Sequence, residues 1–162
     1  MRSAVRDRNA TKESYLLGYV IIDSDDLAIS KPFYDAILGL LGGKAMFIAP
    51  RTITYSRGDE TMLTISLPYD RQPCTFGNGT MFGLPAQSHA LVDQVHAAAL
   101  ALGAKDEGAP GHRTPEMYIA FFRDPFGNKL AVYHIPSVSD YVRGATAIIE
   151  ARAAEADAEA KV

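Results

Sequence analysis

Apolar positions along this chain follow two alternating periods. YLLGYVIID (15 to 23) is a dense run of apolar and β-branched residues, the pattern of a strand. DDLAISKPFYDAILGLLGG (25 to 43) places apolar residues at 29, 33, 36, 37, 40 and 41. Those steps of three and four predict an amphipathic helix, stopped by Gly42 and Gly43. Short β-rich runs follow at 45 to 50, 52 to 57 and 62 to 68, with RGDE as a tight turn between the last two. The order is strand, helix, three strands.

The same order then recurs. TMFGLP (80 to 85) reads as a strand, and SHALVDQVHAAALALG (88 to 103) as a helix with apolar positions 91, 92, 95, 98, 99 and 102. AKDEGAPGHR (104 to 113) carries Gly and Pro, and APGHRTPE (109 to 116) reads as a loop. MYIAFFR (117 to 123) and NKLAVYHIP (128 to 136) then flank DPFG, in which Asp124-Pro125 reads as a turn, not as a carboxylate awaiting a partner. An offset of 62 superposes the two helices, pairing Phe33 with Val95 and Ala36 with Ala98. It also sets Asp26 against Ser88, both where an N-cap belongs. Setting Pro68 on Pro136 aligns the last strands and pairs Leu63 with Ala131.

Composition places the repeat in a single domain. The 162 residues are 48% hydrophobic and 22% charged, as in globular proteins. A net charge of -3 provides no broad field for a phosphate backbone, so a small organic ligand suits the chain better than nucleic acid. The single cysteine, Cys74, excludes an internal disulfide framework and fits a reducing cytoplasm. No apolar run approaches the roughly 20 residues that cross a bilayer. Residues 1–14 are polar and Arg-rich, a flexible extension. Residues 15–136 hold the repeat, as modules 15–68 and 79–136. Residues 137–162, rich in Ala and Glu, predict a helical tail.

Two βαβββ units, with D-L-x-x-S-x-x-F-Y from Asp26 to Tyr34 and D-P-x-G-N from Asp124 to Asn128, resemble the vicinal oxygen chelate superfamily. That family includes glyoxalase I, bleomycin-resistance proteins and extradiol dioxygenases. The resemblance covers about residues 15 to 136. It implies an α+β fold in which two modules form a curved mixed sheet around a cup, with the helices on the convex face and a C-terminal helix added. The family's metal enzymes bind a divalent ion through one residue near the start of each unit's first strand and one on each unit's last strand. Carried over, these positions are Tyr19, Leu63, Met81 and Ala131. None is a usual ligand for a hard cation, so the expectation is no metal and no other cofactor. Many relatives pair two chains, which makes a homodimer the family expectation.

Strand alternation then names a cup lining of Tyr19, Ile21, Asp23, Leu63, Ile65, Met81, Ala131 and Tyr133, with Gly83 beside Met81. His112 and Arg113, on the expected loop, are possible ligand contacts. His89 and His96 share a face of the second helix and suit surface or packing roles, while His134 falls on the helix-packed face. Three readings stay open. The first is a metal-free protein that binds an apolar or aromatic small molecule in its cup. The second is a lyase, isomerase or dioxygenase-type enzyme using a metal elsewhere or acid-base residues such as Asp23, Tyr133 or His112. The third is a domain whose cup is filled by its own side chains and whose job is association.

Overall fold

The computed structural model describes residues 17–58 and 61–159; the extension expected over residues 1–14 lies outside them. The first module runs β1 (Tyr19–Asp23), α1 (Leu27–Leu40), β2 (Lys44–Ala49), β3 (Thr52–Ser56) and β4 (Met62–Ser66). The second runs β5 (Phe82–Pro85), α2 (His89–Ala101), β6 (Lys105–Thr114), β7 (Met117–Arg123) and β8 (Lys129–His134), and α3 (Val138–Glu159) follows. Each module is a four-stranded mixed sheet, ordered β1-β4-β3-β2 and β5-β8-β7-β6. The first strand of each pairs parallel to the last, and the other pairings are antiparallel.

The two helices begin and end by the same chemistry. Asp26 accepts from the Ala28 amide at 2.7 Å, and Ser88 accepts from the Leu91 amide at 3.2 Å. Each therefore satisfies a donor that the first helical turn leaves free. At the other end Gly42 (φ 83°) and Gly103 (φ 93°) turn the chain left-handed. The following amides, Gly43 and Ala104, then reach back to the carbonyls of Leu38 and Ala99 at 2.8 and 3.0 Å. A residue with a Cβ is strained at that φ, which is why glycine stands there.

Helix α1 packs on β2, β3 and β4, α2 packs on β6, β7 and β8, and the helices pack on one another. One continuous core results, running from Ile22, Tyr34, Ile37 and Ile65 to Val92, Val95, Phe122 and Val132. Phe33 on α1 meets Phe122 of the second sheet edge-on at 6.4 Å, so the modules share aromatic packing.

A polar hub crosses the same boundary. Asp124, only 3% exposed, accepts the amides of Phe126 and Asn128 through Oδ1, each at 2.9 Å. Its Oδ2 accepts the Asn128 side-chain amide at 2.9 Å and the Tyr34 hydroxyl at 2.6 Å. Asn128 Nδ2 also donates to the Asp23 carbonyl at 2.8 Å. The D-P-x-G-N turn is thus more than a chain reversal: its carboxylate has a partner in the other module, 90 residues away. Burial first, and then the Asp124 charge and hydrogen bond, push the Tyr34 phenol well above its usual pKa.

Two expectations change. Residues 109–114 of the segment expected as a loop belong to β6, a ten-residue edge strand with three register shifts, and only Pro115 and Glu116 form a turn. Edge bulges absorb Gly108, Pro110 and Gly111, which a central strand would not accept. The repeat register also moves by one residue. Val20 pairs with Leu63 and its counterpart Phe82 with Leu130, so Leu63 corresponds to Leu130 and Thr64 to Ala131. Pro68 and Pro136 lie beyond the ladders and fix nothing.

The hub generates two expectations. Tyr34→Phe should lower stability by about 1.5–3 kcal/mol in urea denaturation, the range for a buried hydrogen bond to a charged group. Because the folded-state pKa of Tyr34 is raised, its contribution is complete below the unfolded value of about 10 and is lost as pH rises beyond it. Urea melts at about pH 8 and about pH 11 should show wild type losing more stability than Tyr34→Phe over that interval.

Candidate functional site

The face of each sheet opposite the helices is the concave candidate surface. In the first sheet, pairing places Tyr19, Ile21 and Asp23 of β1 beside Met62, Thr64 and Ser66 of β4. Large apolar side chains stand open on this face, with Tyr19 62%, Ile21 53% and Met62 39% exposed. Thr54 and Thr64 hydrogen-bond across β3 and β4 at 3.0 Å and place hydroxyls among them. In the second sheet, Gly83 and Pro85 share a face with Ala131 and Tyr133 of β8 and with Phe121 and Ile119 of β7. A Cβ on Gly83 would stand 2.8 Å from Tyr133 Cε1, so the bare glycine leaves room for that ring to lie over β5.

Two members of the expected lining lie elsewhere. Leu63 and Ile65 pair with Val20 and Ile22 on the helix side, where Ile65 is 1% exposed and belongs to the core. The one-residue register error accounts for this, since a slip of one moves every side chain to the other face. Positions equivalent by register are Tyr19 and Met81 on the first strands, and Thr64 and Ala131 on the last. They present a phenol, a thioether, a hydroxyl and a methyl group. Tyr19, Ile21, Asp23, Ala131 and Tyr133 occupy the faces just described. Met81 is 45% exposed at the entry to β5.

His112 and Arg113 point to opposite faces of β6. His112 pairs with Tyr118 and belongs to a cluster on the helix side. There the His89 ring stacks on Tyr118 at 4.3 Å and stands 5.1 Å from His112 and 5.3 Å from His134. Arg113 extends over the concave face, its guanidinium carbon 5.7 Å from the centre of the Phe121 ring. Sequence reasoning missed the neighbours of Phe121. Lys129 Nζ lies 5.7 Å from the same ring, and Glu107 accepts from Arg123 at 2.9 Å and pairs with Lys129 at 3.3 Å. Those bonds, Arg123 first, hold the Glu107 carboxyl below its usual range. The available signal was alternation: Phe121, Arg123, Lys129 and Ala131 share a parity once β7 and β8 are paired.

Between the modules a groove of about 480 Å³ runs along β5 and the start of β1, lined by Leu17, Val20, Met62, Met81, Phe82 and Gly83. Pockets for small organic ligands fall in this size range, with mostly apolar walls. Among the described residues, no group of three or more His, Cys, Asp or Glu is arranged to hold a metal ion, and no helix is long and apolar enough to cross a membrane.

With this fold and geometry established, comparison assigns the family. The family model for the Glyoxalase/Bleomycin resistance protein/Dioxygenase superfamily matches residues 16–132, and the chain belongs to that superfamily. It is similar to a glyoxalase/bleomycin resistance protein from Albidiferax ferrireducens T118. Identity to that protein is 37% and the TM-score 0.71, over 75% of this chain and all of the other. It shares its fold with a lactoylglutathione lyase from Agrobacterium tumefaciens, at 23% identity and TM-score 0.56, over 76% of this chain and 96% of the other. A glyoxalase/bleomycin resistance protein/dioxygenase family enzyme from Burkholderia phytofirmans PsJN also shares it, at 18% identity and TM-score 0.59, over 73% and 97%. No curated protein matched the chain.

The contact between Gly83 and Tyr133 is testable. Gly83→Val should force the Tyr133 ring from its seat, changing the near-ultraviolet circular dichroism and lowering stability by about 1–3 kcal/mol, the usual range for overpacking. A variant with unchanged near-ultraviolet signal and midpoint would show that the ring does not depend on the bare glycine.

Proposed function

We propose that this protein binds a small apolar or aromatic molecule on its concave surface without the divalent metal used by the family's metal enzymes. The observation that carries the reading is the open apolar set Tyr19, Ile21, Met62 and Met81 beside a groove of about 480 Å³. Apolar side chains left in water on a sheet face gain free energy when a ligand covers them, at roughly 25 cal/mol per Å². Tyr19 and Tyr133 add flat rings with hydroxyl donors, and the unbranched thioethers of Met62 and Met81 adapt to an irregular ligand.

The donor chemistry supports the metal-free part. A hard divalent cation needs carboxylate oxygens or imidazole nitrogens. Tyr19, Thr64, Met81 and Ala131 supply neither. These four side chains do not fit such an ion. A homodimer accompanies the reading, because the family resemblance implies one.

Protein purified without chelator should hold far less than one divalent ion per chain by elemental analysis. A thermal-shift screen should find aromatic compounds that raise the melting temperature, since a ligand confined to the native state stabilises it. About one tightly held ion per chain, with activity lost on chelation, would instead establish a metal enzyme.

A further inference from the structure

The concave face of the second sheet carries more positive charge than its own carboxylate neutralises. Lys105, Arg123 and Lys129 all lie within 3.9 Å of Glu107, three cations around one acid. Arg113 adds a fourth, and its hydrogen bond is to a neutral group, the Ala109 carbonyl at 3.1 Å. A guanidinium has five N–H donors, so most of its capacity is left for a ligand.

Arg113 is also seated. A Cβ on Gly111 would stand 3.2 Å from Arg113 Nη1, and one on Gly108 would stand 3.4 Å from Nη2 and 3.0 Å from the Phe121 ring. These two bare positions let the guanidinium fold back along β6 until it lies 5.7 Å from the centre of Phe121. Lys129 stands at the same distance from that ring. Two cations drawn to one aromatic ring repel each other, and an anion placed with them relieves the repulsion.

We propose that this face recognises an aromatic carboxylate, with Arg113 binding the anionic group and the Phe121 and Tyr133 side of the sheet receiving the ring. The proposal rests on the small-molecule reading above and narrows it to an acid. Arg suits the role better than Lys because its planar fork matches the two carboxylate oxygens.

The test uses 2-naphthoate and its uncharged isostere 2-naphthamide as probes, titrated calorimetrically into the full-length protein, Arg113→Met and Arg113→Lys. The expected result is binding of naphthoate at least about tenfold tighter than naphthamide by wild type. Arg113→Met should lose that preference while retaining its affinity for the amide, and Arg113→Lys should recover part of it. Arg113 is exposed, and circular dichroism verifies the fold of both variants. In wild type the preference should also shrink as NaCl rises from about 20 to about 500 mM. Equal binding of the two probes, or an unchanged preference in Arg113→Met, would overturn the anion site and leave the small-molecule reading standing. No binding of either probe would overturn both.

Discussion

Everything else in this fold depends on a buried carboxylate held entirely by neutral donors. Asp124 sits at 3% exposure and accepts four hydrogen bonds, three from Phe126 and Asn128 of its own turn and one from the hydroxyl of Tyr34 in the other module. A buried charge is tolerated only when its lone pairs are filled, so the turn and helix α1 must both be in place before the group is satisfied, and Asn128 then ties the turn to the Asp23 carbonyl of β1. The requirement makes the modules mutually dependent. Tyr34 supplies both the donor and an aromatic wall against Phe33, and Phe33 in turn meets Phe122. Polar and apolar contacts thus close the same boundary.

With that boundary closed on the helix side, the first sheet's other face stands open, while on the second Ile119 and Ala131 are buried and Phe121 and Tyr133 are half-buried. The first presents Tyr19, Ile21 and Met62, and the second presents Phe121 and Tyr133 among Arg113, Arg123 and Lys129. One face is apolar and the other aromatic and basic, although the two modules share an element order. Duplication fixed the frame, and the side chains on the two concave faces differ. This asymmetry suits a ligand with an apolar body and one polar end.

The sequence was most legible where chemistry is local. Asp26 and Ser88 announce helix starts, and Gly42 and Gly103 announce helix ends, because each acts on amides or carbonyls within a few residues. Register was less legible, since the pairing of Leu63 with Val20 is decided across the sheet by a strand some 40 residues earlier. Aligning the repeats on Pro68 and Pro136 used residues outside the ladder, and Leu63 and Ile65 were placed on the wrong face as a result. β6 was hidden by its own composition. Gly108, Pro110 and Gly111 signal a loop in isolation, and only the antiparallel partner β7 turns them into bulges on an edge. Asp124 was readable as a turn residue, but its bond to Tyr34 spans 90 positions and left no local trace.

Among the described residues, the strands β1 and β5 each pair on one side only, with β4 and with β8. Both also contribute residues to the groove between the modules. Main-chain amides and carbonyls on such an edge offer hydrogen bonds that exchanges among residues other than proline leave in place. The groove can therefore be reshaped residue by residue, exchanging one apolar wall for another, while its backbone polarity stays constant. A scaffold with that property can change the side chains along the groove without first rebuilding the main-chain donors and acceptors beside them.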